Sequence, residues 1–231
     1  MRTEAVLFDY GLTLVTFEYP SAALLEVLET VRPWLGAQPP TAKWLLLHVL
    51  HPLEEELDGF GSEDEIDYLD FYRRAWRRAG LTLADDVLYR ILDLEQQAWD
   101  RSVRVVPGAL DVIDRLRARG LLTGICSNAP FPPEMMQRQL RAKGLADRMD
   151  AIVFSSAVGR RKPSPEPYRA ALAVLGLPPE RVLFTGDRVR EDYEGPLAVG
   201  MRAVIVSAPG RPPLPAEVPT IATLAGLESL L

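Results

Sequence analysis

Five short apolar segments constrain the fold of this 231-residue chain more than any other feature of its sequence. None of them alternates apolar with polar residues, and each ends at a polar or small residue. Continuous apolar runs of this length are typical of strands that are buried on both faces of a parallel sheet. The five predicted strands cover residues 5–8, 121–126, 151–154, 182–185 and 203–206.

Helix-like segments with clear start and stop signals follow the second, third and fourth predicted strands, and one more precedes the second. In one of them, Ser164 is a predicted N-cap, Pro165 occupies the first turn and Gly176 ends the helix. Strands that alternate with helices of this length form βαβ units, and therefore a parallel sheet with right-handed crossovers. The four helices are predicted over residues 107–120, 133–144, 164–176 and 192–200.

Residues 16–104 break this alternation and predict a second, all-helical domain. We therefore predict an α/β core formed by residues 1–15 and 105–231, and a helical cap formed by residues 16–104. The acidic residues 54–56 and 63–70 are interpreted as solvated helix ends and a loop, and the proline-rich residues 209–219 as a surface loop. The amphipathic segments of the cap cover residues 22–34, 42–57, 66–79 and 83–103.

Composition argues against several classes of partner. The formal net charge of -6 disfavours a protein that binds nucleic acid or membrane surfaces through general charge attraction. No apolar stretch approaches the roughly 20 residues that a membrane helix requires. A single cysteine, Cys126, excludes an internal disulfide and is typical of a reducing compartment, so we expect a cytoplasmic protein.

The ends of the predicted strands carry groups that can act together. Because the carboxyl ends of parallel strands face one crevice, we expect three carboxylates, a lysine and a hydroxyl to meet there. Carboxylates with open positions bind Mg²⁺, and a carboxylate can also be a nucleophile. Hydroxyl and backbone N–H groups can donate to a transferring group. The candidate residues are Asp9, Thr13, Ser127, Asn128, Lys162, Asp187 and Asp192.

These residues form four motifs whose order and spacing resemble those of the haloacid dehalogenase-like (HAD) hydrolase superfamily. The resemblance covers residues 1–14 and about 105–231. It implies an α/β fold with a Rossmann-like parallel sheet core and an all-helical cap domain inserted after the first motif. The motifs are Asp9 with Thr13 and Leu14, then Ser127, then Lys162 and Pro163 followed by Pro165, and finally Gly186 and Asp187 with Asp192.

The resemblance also implies a role for each residue. Asp9 would be the nucleophile and a metal ligand, Ser127 would bind the transferred phosphoryl group, and Lys162 would stabilise its charge and position Asp9. The segment around Asn128 would contact the substrate. The implied cofactor is Mg²⁺, and its implied ligands are Asp9, the backbone carbonyl of Gly11, Asp187 and Asp192.

Gly11 departs from the pattern of that superfamily. Its phosphatases normally carry a second aspartate at this position as general acid and base, which contributes about 10²–10⁴-fold to the rate. The absence of this aspartate should lower the rate most for substrates with a poor leaving group, such as an alkoxide. The proton donor is therefore left open between Tyr10, Glu18, a residue of the cap, and a leaving group that needs none.

The predicted function is Mg²⁺-dependent hydrolysis of a small phosphorylated metabolite. Carbon–halogen hydrolysis is an alternative, because some dehalogenases of the superfamily also lack the second aspartate and carry a Ser-Asn pair, although Asp187 preserves a metal site that they do not need. Phosphonate cleavage is another, and would require Lys43 as a Schiff-base lysine. A phosphate- and metal-binding module with little turnover is the non-enzymatic alternative. The sequence leaves the oligomeric state open.

Overall fold

A computed structural model describes residues 2–207 and 214–231 of the chain. The predicted surface loop 209–219 therefore lies partly outside the described residues, at 209–213. The chain divides into two compact units. The α/β unit comprises Met1–Thr16, Glu63–Glu65 and Arg104–Leu231, and the helical unit comprises Phe17–Ser62 and Ile66–Val103. Every helix in the described ranges is too short or too polar to cross a membrane.

Six parallel strands form the main sheet of the α/β unit, in the order β5-β4-β1-β6-β7-β8. The two remaining strands, β2 and β3, pair antiparallel with each other. The prediction of an α/β fold with a parallel sheet is confirmed. In chain order, the strands are β1 (Ala5–Phe8), β2 (Val15–Thr16), β3 (Arg104–Val105), β4 (Leu122–Ser127), β5 (Ala151–Phe154), β6 (Val182–Gly186), β7 (Arg202–Val206) and β8 (Thr220–Ile221).

Strand β1 lies inside the sheet, between β4 and β6. All four of its residues are buried, which is why its sequence is continuously apolar. Phe8 is in register with Ile125 on one side and with Thr185 on the other. The residues that follow these three strands are therefore brought to the same edge of the sheet.

The helical unit contains helices in each of the four predicted amphipathic segments. A π-type turn, Leu46–Leu50, joins its second and third helices, so that helical backbone runs from residue 42 to residue 58. A 3-10 turn, Arg32–Leu35, extends the first helix. The helices are α1 (Ser21–Val31), α2 (Ala42–Leu45), α3 (His51–Asp58), α4 (Tyr68–Arg78) and α5 (Asp85–Ser102).

Three of the four predicted helices of the α/β unit are found with bounds within two residues of the prediction, and a short helix over residues 155–158 was not predicted. Ser164 precedes its helix as expected, but its hydroxyl donates to Glu166 and does not cap the helix. A π-type turn, Arg190–Glu194, and a short helix replace the predicted helix over residues 192–200. The helices are α6 (Ala109–Ala118), α7 (Pro133–Ala142), α8 (Ser155–Val158), α9 (Pro165–Leu175) and α10 (Gly195–Ala198).

Residues 63–65 correct the interpretation of the acidic stretch as fully solvated. They belong to the α/β unit, although they lie in sequence between the two segments of the helical unit. The side chain of Glu65 is only 3% exposed, since it forms an ion pair with Arg161. The pairing of β2 with β3 and the last strand, β8, were also missed, because two-residue strands leave no periodicity in a sequence.

A buried carboxyl group lies in the core of the helical unit. The Glu95 side chain accepts a hydrogen bond of 2.8 Å from the hydroxyl of Tyr72, and both residues are buried. Burial raises the pKa of Glu95 from 4.5 to about 8, against the opposing effect of the Tyr72 hydrogen bond. Burial likewise raises the pKa of Glu54 to about 7. Both glutamates are therefore easier to bury in their neutral form.

We predict that the stability of the protein falls as the pH rises from about 5 to about 9. The unfolded chain loses the Glu95 proton near its unperturbed pKa of 4.5, whereas the folded chain keeps it up to about 8. Stability is therefore lost over this window, by at most about 5 kcal/mol for Glu95. Thermal melting followed by circular dichroism at several pH values should show a smaller loss in Glu95→Gln, which keeps an acceptor for Tyr72.

Glu26→Gln is the matched control, because Glu26 is an exposed glutamate of the same unit. It should lose stability with rising pH as the unsubstituted protein does. An equal loss in Glu95→Gln would contradict the assignment of this pH dependence to the buried carboxyl group.

Candidate active site

The adjacent strands β4, β1 and β6 deliver three of the predicted residues to one edge of the sheet. Asp9 directly follows β1, and its backbone N–H donates to the carbonyl of Thr185 at 2.8 Å, which continues the strand pairing by one residue. Ser127 is the last residue of β4, and Asp187 directly follows β6. All three of these polar side chains are buried. The strand order therefore places them near each other, as expected for the switch point of an open parallel sheet.

The carboxylate of Asp9 is held through one of its two oxygens. Its Oδ1 accepts a hydrogen bond of 2.8 Å from the hydroxyl of Ser127 and another of 2.7 Å from Nζ of Lys162. Within the described part of the chain, no group donates a hydrogen bond to Oδ2. One oxygen of Asp9 is thus fixed, and the other is available for chemistry.

Lys162 contacts a second carboxylate with the same ammonium group. Its Nζ lies 2.6 Å from Oδ1 of Asp192 and 5.0 Å from the ring centroid of Phe184. Burial by itself lowers the pKa of Lys162, but the negative charges of Asp192 and Asp9 outweigh this effect and hold the pKa well above its usual value. The lysine is therefore a permanent cation between two carboxylates.

Asp192 closes the loop that follows β6. Its Oδ2 accepts hydrogen bonds of 3.0 Å from the backbone N–H groups of both Asp187 and Arg188. Burial raises the pKa of Asp192 to about 7, although Lys162 opposes this shift. Both oxygens of Asp192 accept hydrogen bonds, so this side chain fixes the loop that follows β6 and the position of Lys162.

Three carboxylates of this site could hold a metal ion. Asp9, Asp187 and Asp192 each offer an oxygen, and these atoms lie within 4.8 Å of one another. All three residues are buried, and Lys162 is the cation that touches two of them. Three buried carboxylates beside one ammonium leave negative charge in excess, and hard oxygen ligands suit Mg²⁺. The donor set therefore fits this ion.

The individual ligand assignments stay predictions. Oδ2 of Asp9 is better placed for direct ligation than Asp192, whose oxygens already accept three hydrogen bonds. Gly11 lies two residues after Asp9, and its backbone forms a bridge with Val15. The ligation through the carbonyl of Gly11 that the resemblance implies also stays a prediction.

Asn128 has a role that sequence reasoning missed. Its Oδ1 accepts a hydrogen bond of 2.7 Å from the backbone N–H of Lys162, and its Nδ2 donates one of 3.0 Å to the Lys162 carbonyl. The side chain therefore brackets the backbone of the lysine. The predicted substrate contact at Asn128 stays a prediction. The position of an asparagine directly after Ser127 was the one available signal.

The structure does not favour Tyr10 or Glu18, the two residues named as candidate proton donors. The Tyr10 hydroxyl donates to Oε1 of Gln139 at 2.6 Å in a buried hydrogen bond. Glu18 is exposed and belongs to the helical unit. Thr13, a candidate site residue, is buried, and its hydroxyl has no hydrogen-bond partner among the described residues. Cys126, which precedes Ser127, is a fully buried core residue, and this burial raises the pKa of its thiol to about 12.

Comparison with protein families and curated proteins identifies a hydrolase family and several phosphatases as relatives of this chain. A family model described as haloacid dehalogenase-like hydrolase matches residues 3–200. The chain is 31% identical over 184 residues to a phosphoglycolate phosphatase from Rhodospirillum rubrum, a match that covers 70% of this chain and 75% of the relative. Two further curated phosphatases are matched over only 48% and 54% of their own length.

Solved structures with the same fold include a phosphatase and a dehalogenase. A HAD phosphatase from Thermococcus onnurineus matches with a TM-score of 0.67 and 23% identity, and covers 100% of this chain and 97% of its own. A 2-haloacid dehalogenase from Pseudomonas syringae pv. Tomato DC3000 matches with a TM-score of 0.70 and 22% identity, and covers 99% and 97%. At such identities, these matches establish the fold and do not select a reaction.

We predict that Gly186→Ala destabilises the protein through Asp192. A Cβ atom at residue 186 would lie 2.3 Å from the carboxyl group of Asp192, which is itself held by Lys162 and two backbone N–H groups. Displacing it should lower the free energy of unfolding by about 1–3 kcal/mol, measured by urea denaturation.

Gly61→Ala is the control, because Gly61 is exposed and a Cβ there would meet nothing within 4 Å. Its free energy of unfolding should change by no more than about 0.5 kcal/mol. Equal stability of the two variants would show that Asp192 does not require the glycine.

Proposed function

We propose that this chain, which belongs to the haloacid dehalogenase-like hydrolase family, is a Mg²⁺-dependent phosphatase that acts on a small phosphorylated metabolite. The observation that carries the proposal is the carboxylate of Asp9, fixed through one oxygen by Ser127 and Lys162 beside two further buried carboxylates. The phosphatase names of the curated relatives support the same reaction class. The expectation that residues 16–104 act as a cap that selects the substrate is part of the proposal.

Asp9 would act as the nucleophile in the first step. Its free oxygen, Oδ2, attacks the phosphorus atom in line with the leaving group. A bond forms between Oδ2 and phosphorus, and the bond from phosphorus to the leaving oxygen breaks, with its electron pair going to the leaving group. The product is an aspartyl-phosphate on Asp9. Ser127 and Lys162 hold Oδ1 and thereby orient Oδ2 before the substrate arrives.

Charge is the main obstacle to this attack, because an anionic carboxylate must approach a phosphate dianion. The ammonium of Lys162 lowers the repulsion, and it is held as a cation by Asp9 and Asp192. When bound, Mg²⁺ would add positive charge at the same place and polarise the phosphoryl oxygens. The hydroxyl of Ser127 can turn from Asp9 to donate to the phosphoryl group as its charge changes.

In the second step, water attacks the phosphorus atom and the bond between phosphorus and Asp9 breaks. Asp9 is regenerated as a carboxylate, inorganic phosphate is released, and the proton given up by the attacking water passes to the phosphate or to solvent. Gly11 has no side chain that could take this proton, nor one that could protonate the leaving group in the first step. We therefore propose that the enzyme uses substrates whose leaving group needs no proton, and that release of phosphate from Asp9 is slow.

The alternative reactions are less well supported. Hydrolysis of a carbon–halogen bond by Asp9 would not require a metal ion. It would therefore not explain why two further buried carboxylates lie close to Asp9. Phosphonate cleavage through an imine requires a lysine that loses its proton easily, which burial favours. The candidate Lys43 is exposed on α2. A binding module with little turnover remains the alternative that Gly11 itself motivates.

We predict that Asp9→Asn removes hydrolysis of 4-nitrophenyl phosphate. The variant lacks the nucleophile, so kcat should fall by about 10³-fold or more, and chelation of Mg²⁺ should remove the activity of the unsubstituted protein. Asp111→Asn is the matched control, since Asp111 is an exposed residue of α6. Release of 4-nitrophenol measures both. Full activity in Asp9→Asn, or after chelation, would rule out the proposed function.

We also predict a steep dependence of the rate on the leaving group. Without an acid at residue 11, kcat/KM, which reports the departure of the leaving group, should be about 10²–10⁴-fold lower for alkyl phosphates than for aryl phosphates with acidic phenols. Gly11→Asp should narrow this gap because it adds a proton donor, whereas Gly11→Asn, which is of equal size but cannot ionise, should not. Comparable values of kcat/KM for alkyl and aryl substrates in the unsubstituted protein would contradict this part of the account.

A further inference from the structure

Three consecutive acidic residues, Glu63–Glu65, pack against the loop that carries Lys162. Asp64 forms an antiparallel bridge with Arg160. The backbone N–H of Arg161 donates to the carbonyl of Glu63 at 2.8 Å, and the N–H of Glu65 donates to the carbonyl of Gly159 at 3.0 Å. We call residues 63–65 the acidic strap. Although its sequence neighbours on both sides belong to the helical unit, the strap belongs to the α/β unit.

Each side chain of the acidic strap has an arginine partner. Asp64 is paired with Arg160 at the exposed edge of the strap. Oε1 of Glu65 lies 2.8 Å from Nη1 of Arg161, and these two side chains are 3% and 13% exposed. The two partner arginines directly precede Lys162 in the chain. The strap is therefore fixed to the lysine loop by side chains as well as by the backbone.

The remaining acid of the strap reaches the other loop of the site. Oε1 of Glu63 lies 2.9 Å from Nη2 of Arg190, which precedes Asp192 by two residues. Lys162 and Asp192 are themselves joined by an ion pair of 2.6 Å. The acidic strap thus contacts both loops whose side chains form this ion pair.

The ion pairs of the acidic strap are not equivalent. Exposed pairs contribute little, because water and salt screen their charges. The Glu63–Arg190 pair is of this kind, with side chains that are 39% and 55% exposed. Removal of one partner from a buried pair leaves an uncompensated charge, which is strongly destabilising. The Glu65–Arg161 pair is the most buried ion pair of the strap, so its loss should disturb the lysine loop most.

We propose that the acidic strap positions Lys162, and that Glu65 is its principal positioning residue, acting through Arg161. This inference rests on the proposed role of Lys162 beside Asp9. Asn128 holds the backbone of Lys162 from one side with hydrogen bonds of 2.7 and 3.0 Å. The strap holds the preceding residue. Together they fix the starting point of a long side chain whose ammonium must meet two carboxylates at once.

The test compares Glu65→Gln with the control Glu228→Gln. Glu228 forms an exposed ion pair with Arg115 in the same unit and takes no part in the site. Hydrogen exchange of the resting protein is measured by mass spectrometry on peptides that cover residues 159–163. Steady-state kinetics with 4-nitrophenyl phosphate and saturating Mg²⁺ then separate kcat from KM. Glu65→Asp, which keeps the charge but shortens the side chain, replaces Glu65→Gln if the latter does not fold.

We expect faster exchange at residues 159–163 in Glu65→Gln and no change there in Glu228→Gln. Because a displacement of about 1 Å in a positioned group can lower a rate by about 10²-fold, kcat should fall by about 10- to 100-fold. KM should change by less than about 3-fold, since the substitution adds and removes no substrate contact. Unchanged exchange in the loop, or an unchanged kcat in a folded variant, would overturn the role of the strap.

The same design separates this inference from the proposed function. A protein that does not hydrolyse 4-nitrophenyl phosphate, but whose lysine loop exchanges faster in Glu65→Gln, would overturn the phosphatase and retain the strap. A protein that is an active phosphatase, but in which Glu65→Gln leaves hydrogen exchange at residues 159–163 unchanged, would overturn the proposed role of the strap. The proposed function would then stand.

Discussion

The buried ammonium of Lys162, shared between Asp9 and Asp192, is the interaction on which the rest of the site depends. It lies 2.7 Å from one carboxylate and 2.6 Å from the other, and it joins loops that follow different strands of the sheet. Removing one partner of a buried ion pair typically costs about 3–5 kcal/mol, because the remaining charge stays buried. The loops that carry Asp9, Lys162 and Asp192 therefore constrain one another's positions.

Several local features of the chain make this contact possible. Gly186 leaves room for the carboxyl group of Asp192, which a Cβ atom would meet at 2.3 Å. Asn128 brackets the backbone of Lys162, and we have assigned a similar function to the acidic strap. The contact also leaves the site short of positive charge, since three buried carboxylates lie close together and the ammonium of Lys162 pairs with two of them. The proposed Mg²⁺ would supply the missing charge where a phosphate dianion must bind.

The sequence predicts the sheet and the residues at its edge, because strands buried on both faces are continuously apolar and the residue that ends each strand stands out. Asp9, Ser127 and Asp187 could be found in this way. The role of Glu65 could not be predicted, because it depends on Arg161, which lies 96 residues away in the chain. The side-chain role of Asn128 depends in the same way on a loop 34 residues away. Pairing over such distances leaves no local pattern, and two-residue strands such as Thr220–Ile221 leave none either.

The most direct test of the account is to locate the covalent intermediate. Because Gly11 provides no base for the second step, phosphoryl-enzyme should accumulate during turnover of 4-nitrophenyl phosphate. Acid quenching followed by borohydride reduction converts a phosphorylated aspartate to homoserine, which mass spectrometry identifies in peptides. The account predicts homoserine at residue 9 when both substrate and Mg²⁺ are present, and none when either is omitted. Sustained turnover without any modification of Asp9, or modification at another carboxylate, would contradict it.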